Sequence, residues 1–102
     1  MTKITKRHSS IPPVHPGEIL RDDVFPALGV TKPALANALG ISRQTLHDIF
    51  SMKRGVTPEM SLRLETVVGS TAETWLALQS ARDLWEVRRS AKVQGLKRLK
   101  AA

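Results

Sequence analysis

The chain contains no cysteine, which excludes disulfides and cysteine-based zinc sites. No apolar run approaches the ~20 residues needed to span a bilayer. The opening residues, Met1 to Ser10, are polar and lack the apolar stretch of a signal peptide. A soluble cytoplasmic protein without a membrane segment is the expectation. There is no Gly-rich phosphate loop and no persuasive Ser/His/Asp order. Asp22 and Asp23 are direct neighbours, so on a helix they occupy different faces and make no catalytic dyad. His8, His15 and His47 have neither i,i+4 spacing nor a carboxylate companion in a ligand pattern. The chain is therefore expected to be no enzyme and to hold neither cofactor nor metal. No strand pattern, internal repeat or heptad array stands out.

What remains is 102 residues, one domain's worth. Folding at this length buries roughly 65% of the unfolded surface, enough for one modest core to which dimerisation would add stability. The net charge of +7 is uneven. Residues 1–14 carry three bases and no acid, residues 15–81 carry six bases against seven acids, and residues 82–102 carry seven bases against two acids. The high pI thus comes from the ends, and basic ends alone are weak evidence for a nucleic-acid partner. Within residues 31–55, however, Lys32, Arg43, Lys53 and Arg54 face only Asp48.

Residues 1–14 read as a flexible arm, polar and basic, then extended through Ile11-Pro12-Pro13. A first helix starts at His15, with Pro16 at its first position and Glu18 suited to the N-terminal dipole. Its apolar positions are Ile19, Leu20, Val24 and Phe25, and Pro26 with Gly29 should end it. Thr31 caps a second helix that tolerates Pro33 in its first turn. Gly40 ends that helix and turns the chain. Ser42 caps a third helix, followed by a basic loop over 51–55. Thr57-Pro58-Glu59 starts a fourth, with Met60, Leu62, Leu64, Val67 and Val68 apolar and Gly69 as its stop. Ser70 with Glu73 fits a capping box for a long fifth helix running through Trp75, Leu78, Leu84 and Trp85 towards Ser90. Residues 91–102 form a basic tail. The domain proper is 15–90.

Residues 31–50 are the most informative segment. Two short helices join at Gly40, Ala36 is small where they cross, and Leu35, Leu39, Ile41, Leu46 and Ile49 share a core. Arg43, Gln44 and His47 are left pointing outward on the second of the pair. This is the pattern of a DNA-reading helix-turn-helix. A recognition helix enters the major groove N-terminus first, which assigns base contact to Arg43 and Gln44, with Thr45 and His47 reaching a base or a phosphate. Thr31, Lys32 and Ser42 lie at helix starts, where backbone N–H groups favour phosphate. Lys53 and Arg54, just past the reader, are placed as phosphate clamps.

The segment resembles the Cro/C1 repressor (XRE) type of helix-turn-helix. With His15-Pro16-Gly17-Glu18-Ile19-Leu20, the stretch Arg54 to Leu64 and Trp75-Leu76-Ala77-Leu78-Gln79 in the same order and spacing, residues 14–86 resemble the HigA-type antitoxins, also called the VapI or plasmid-maintenance antidote group. Ala77 stands where that family more usually has Asn. The resemblance implies an all-α, five-helix, lambda-repressor-like DNA-binding domain with a long C-terminal helix. It also implies a homodimer that represses its own operon at an inverted repeat and neutralises a HigB-type ribonuclease toxin. Subunit contact through the last helix, at Trp75, Leu78, Leu84 and Trp85, is expected on the same ground. Arg82, Arg88 and Arg89 stay open between solvent, DNA and toxin. A stand-alone repressor with no toxin is the alternative, and a neighbouring gene for a small ribonuclease-like protein would separate the two.

Overall fold

A computed structural model describes residues 11–90 and 93–100. Most of the expected N-terminal arm, together with residues 91, 92, 101 and 102 of the tail, lies outside the described residues. Among the described residues the fold is all-α, with five helical rods and no strand. The first rod, α1, covers 16–28. It is followed by α2 (Lys32–Leu39), α3 (Arg43–Phe50), α4 (Pro58–Val67) and the long α5 (Ala72–Ser90).

α1 begins with a capping box in which histidine replaces the usual hydroxyl. The Gly17 N–H donates to His15 Nδ1 at 2.9 Å, and the His15 N–H donates to Glu18 Oε1 at 3.2 Å. Pro26 does not end this rod, contrary to the sequence expectation. Its middle, Leu20–Val24, widens into a π turn in which the Phe25 N–H reaches back to the Leu20 carbonyl. The wider turn relieves the crowding that a proline ring imposes on the carbonyl four residues earlier, so the helix continues through Leu28. Gly29, at φ +67°, then stops it.

Thr31, Ser42 and Thr57 cap α2, α3 and α4 as their positions suggest, accepting from the N–H groups of Ala34, Thr45 and Met60 at 3.2, 3.0 and 3.1 Å. Each such cap contributes about 1 kcal/mol. Gly40, at φ +72°, closes α2 in a double turn: its N–H donates to the Asn37 carbonyl and that of Ile41 to the Ala36 carbonyl, both at 3.0 Å. The cap of α5 is Thr71 rather than Ser70, accepting from Thr74 N–H at 3.1 Å. Ser70 sits at φ 62°, a left-handed conformation, whereas an N-cap needs extended backbone.

The core joins Leu20 of α1, Leu35, Ala36 and Leu39 of α2, Leu46, Ile49 and Phe50 of α3, Val56, Met60 and Leu64 of α4 and its approach, and Trp75 of α5. Burying each large apolar side chain is worth roughly 1.5–3 kcal/mol. Leu62, expected among the apolar positions of α4, points outward instead. α1 lies so close to α3 that a Cβ on Gly17 would strike the Ile49 carbonyl, so this glycine sets the depth at which α3 seats.

Candidate nucleic-acid interface

α3 is held in place on every side but one. Ser42 fixes its start, Gly17 admits α1 beneath it, and Arg21 Nη1 donates to the Phe50 carbonyl at its far end at 3.0 Å. Arg21 is itself oriented by a bidentate pair with Asp22, at 2.7 and 2.9 Å. That hydrogen-bonded pairing holds the Asp22 carboxyl below the usual carboxylate range. A second arginine does the same for α2: Arg63 Nη1 donates to the Leu39 carbonyl at 2.8 Å and the Gly40 carbonyl at 3.3 Å, while its Nη2 pairs with Glu59 at 2.8 Å. Each helix of the pair thus has its negative C-terminal end met by a guanidinium from outside the unit.

The remaining face is solvent-facing and polar. Arg43, Gln44 and His47 are exposed along it, with Thr45 half-buried beside them. Gln44 Nε2 donates to Asp48 Oδ1 at 2.9 Å one turn on, which occupies one oxygen of the one acid on this surface. The Ser42 hydroxyl donates to Thr45 Oγ1 at 2.9 Å while capping the helix. An anion at this end would therefore meet backbone N–H groups and the remaining Thr45 hydroxyl proton. Thr31 likewise spends its acceptor on the α2 cap.

Lys32 lies across the cleft from the reader, its Nζ 5.7 Å from the centre of the Phe50 ring. Arg21, Phe25, Lys32, His47, Phe50 and Ser51 line that cleft, of about 340 Å³. The loop after α3 folds back onto the end of that helix, with Ser51 N–H on the His47 carbonyl and Met52 N–H on the Ile49 carbonyl. The Asp48 carbonyl takes the N–H groups of Lys53 and Arg54 at 2.8 and 3.1 Å and the Ser51 hydroxyl at 3.3 Å. Met52 adopts φ 66° to make the turn. Both basic side chains are left exposed. Of the nine positions assigned to DNA, eight are exposed and Thr45 is half-buried.

The four residues assigned to a subunit interface divide. Trp75 is only 3% exposed, is enclosed by its own core, and donates from Nε1 to the Gly69 carbonyl at 3.0 Å. It has no surface to offer a partner and drops out of the interface. Leu84 is 51% exposed, Leu78 and Trp85 are half-buried, and Arg82 and Arg89 lie over the Trp85 ring at 5.8 and 4.7 Å. Arg82 is further engaged with Glu86 Oε2 at 3.0 Å and the Pro13 carbonyl at 3.1 Å, so it is no simple solvated base.

Sequence reasoning did not single out Arg21, Arg63 or Gln79 for any contact. Gln79 carries a readable signal, because it falls with Ala72 and Trp75 on the one buried stripe of α5. A polar residue on an apolar stripe must have a partner.

Five helical rods, a tight glycine turn between α2 and α3, and a capped helix with polar side chains exposed along it define a helix-turn-helix protein. Over 76 residues the chain is 40% identical to virulence-associated protein I of Dichelobacter nodosus, covering 74% of this chain and 70% of the relative. It is 38% identical over 77 residues to antitoxin HigA-1 of Vibrio cholerae serotype O1, covering 74% and 71%. The solved structure of Pseudomonas aeruginosa antitoxin HigA with the higBA promoter matches with a TM-score of 0.78 at 33% identity, over 86% of this chain and 99% of that one. No protein-family model matches the chain. The chain belongs to the HigA/VapI family of antitoxins and helix-turn-helix regulators, which are not enzymes.

Proposed function

We propose that the chain is a homodimeric antitoxin of the cytoplasm that binds an inverted-repeat operator in its own promoter, represses that operon and neutralises a HigB-type ribonuclease. One observation carries the DNA reading: Arg43, Gln44 and His47 are exposed on a helix fixed at both ends, and Lys32 at the start of α2 and Lys53 and Arg54 just after α3 are exposed as well. In this reading Arg43 bonds guanine, Gln44 bonds adenine, and Thr45 and His47 reach a neighbouring base or phosphate. Thr31, Lys32, Ser42, Lys53 and Arg54 hold the backbone and set the register. Two copies joined through the α5 face that carries Leu78, Leu84 and Trp85 would present two readers to half-sites about one helical turn, roughly 10 bp, apart. The Pseudomonas aeruginosa relative solved with the higBA promoter supports the operator reading.

The test is footprinting of the purified chain on DNA upstream of its own reading frame. Two protected half-sites in inverted repeat are expected, and uniform protection without half-sites would sink the reading. Co-expression with the neighbouring gene separates an antitoxin from a stand-alone repressor. A small ribonuclease that is silenced on co-purification is the expected result, and no such partner would leave the repressor alone standing.

A further inference from the structure

A cleft of about 440 Å³ separates the loop after α3 from the middle of α5, lined by His15, Lys53, Arg54, Gln79, Asp83 and Glu86 among others. At its floor the buried Gln79 accepts the Val56 N–H on Oε1 at 2.8 Å, and donates from Nε2 to Asp83 Oδ1 at 3.0 Å. Only one orientation of the amide serves both partners. Turned over, it would set donor against donor and oxygen against carboxylate. Gly55, the residue before Val56, leaves just enough room, since a Cβ there would stand 3.1 Å from the Gln79 amide.

The loop is therefore tied at two points. Its Lys53 and Arg54 N–H groups hang on the Asp48 carbonyl of α3, and its exit hangs on Gln79 of α5. Among the described residues neither basic side chain is ion-paired, although Asp83 and Glu86 line the same cleft; Asp83 accepts from Gln79, and Glu86 pairs with Arg82 at 3.0 Å. We propose that Gln79 is a positioning residue for DNA binding: from α5, without touching DNA, it fixes the loop that presents Lys53 and Arg54 to the phosphate backbone. This rests on the reading of Lys53 and Arg54 as phosphate contacts. An untied loop would spread the two bases over many positions, and contacts averaged in that way release fewer counterions.

The experiment measures binding of the full chain against salt concentration, on duplex from its own upstream region and on a random duplex of equal length. Gln79→Met, close in size but with no amide, should weaken binding to both duplexes about tenfold and flatten the salt slope by about one per protomer. The ratio of the two affinities should stay unchanged, because the base-reading row of α3 is not disturbed. Added to Lys53→Ala with Arg54→Ala, Gln79→Met should flatten the slope no further. An unchanged slope for Gln79→Met, a collapse of the affinity ratio, or a further drop in the triple variant would each overturn the proposal. Lys53→Ala alone separates the two levels. If it leaves the slope intact, the phosphate reading itself fails, whereas a slope that falls with Lys53→Ala but not with Gln79→Met removes Gln79 only. Should Gln79→Met fail to fold, Gly55→Ala crowds the same amide and must flatten the slope, or the proposal falls.

Discussion

α3 and α5 are both two-faced helices, yet the face that α3 leaves to solvent is polar and the one that α5 leaves carries apolar residues. α3 is eight residues long and is anchored by Ser42, Gly17 and Arg21, and its free face is polar. α5 has nineteen residues but buries only Ala72, Trp75 and Gln79, all in its first half. Beyond them Leu84 and Val87 are 51% and 43% exposed. A short helix pinned by its neighbours suits a rigid reading head, because contacts with bases need side chains fixed to within a fraction of an ångström. A long helix with apolar residues left open suits attachment to another copy.

Four changes break or sharpen that contrast. The largest effect is expected from Gly17→Ala, because the new methyl meets the Ile49 backbone carbonyl, which cannot rotate away. Thermal unfolding should show a loss of about 3 kcal/mol, with α3 displaced. Leu84→Asp should do the reverse, leaving protomer stability within about 0.5 kcal/mol. The solution mass, measured by light scattering, should fall from two copies to one. Next in size is a pH effect at the foot of α1. Burial first, and Arg82 second, push the His15 imidazole below the ordinary histidine value of 6.5. The unfolded chain therefore binds a proton that the folded chain refuses. Its share of the stability is complete above pH 6.5 and is lost as pH falls through the lowered folded value. The melting temperature should drop between pH 7.5 and 5.5 by more than in His15→Asn, which keeps a capping acceptor but does not titrate there. The smallest effect has the opposite sign. Ser61 Oγ is buried in α4 with no hydrogen-bond partner among the described residues, so Ser61→Ala should raise stability by up to about 1 kcal/mol in the same melts.

Much of this frame is legible in the chain because its signals are local. Thr31, Ser42 and Thr57 bond groups three residues away, and Gly40 turns the chain at its own position. Such bonds are fixed by short spacing, which a sequence displays. Pro26 misleads because a π turn upstream absorbs its ring, and Ser70 misleads because the glycine stop carries one residue further, into a left-handed serine. The residues that seat the reader are hidden for a different reason. Arg21 reaches Phe50 across 29 positions, Arg63 reaches Leu39 across 24, and Gln79 reaches Val56 across 23. Those contacts exist only once the crossing angles of the helices are set. The same applies to the tryptophans: ten residues apart on one helix, Trp75 is sealed in the core while Trp85 lies half-open under two arginines.

The arginine support at the ends of α2 and α3 also bears on evolution by substitution. The outward row of Arg43, Gln44 and His47 supplies no residue to the buried core. Its side chains are therefore free to change with little penalty to folding, whereas Gly17, Arg21 and Arg63 are not. Altered DNA preference should come from the first group and loss of fold from the second.

The most direct measurement is a titration of the wild-type chain and Arg43→Ala on the upstream duplex and on a panel with each base pair of one half-site changed in turn. Arg43→Ala should lose ~1–3 kcal/mol on the wild-type site and become indifferent at one position of the panel while still discriminating at the others. An equal loss on every duplex, random DNA included, would contradict the assignment of base reading to α3.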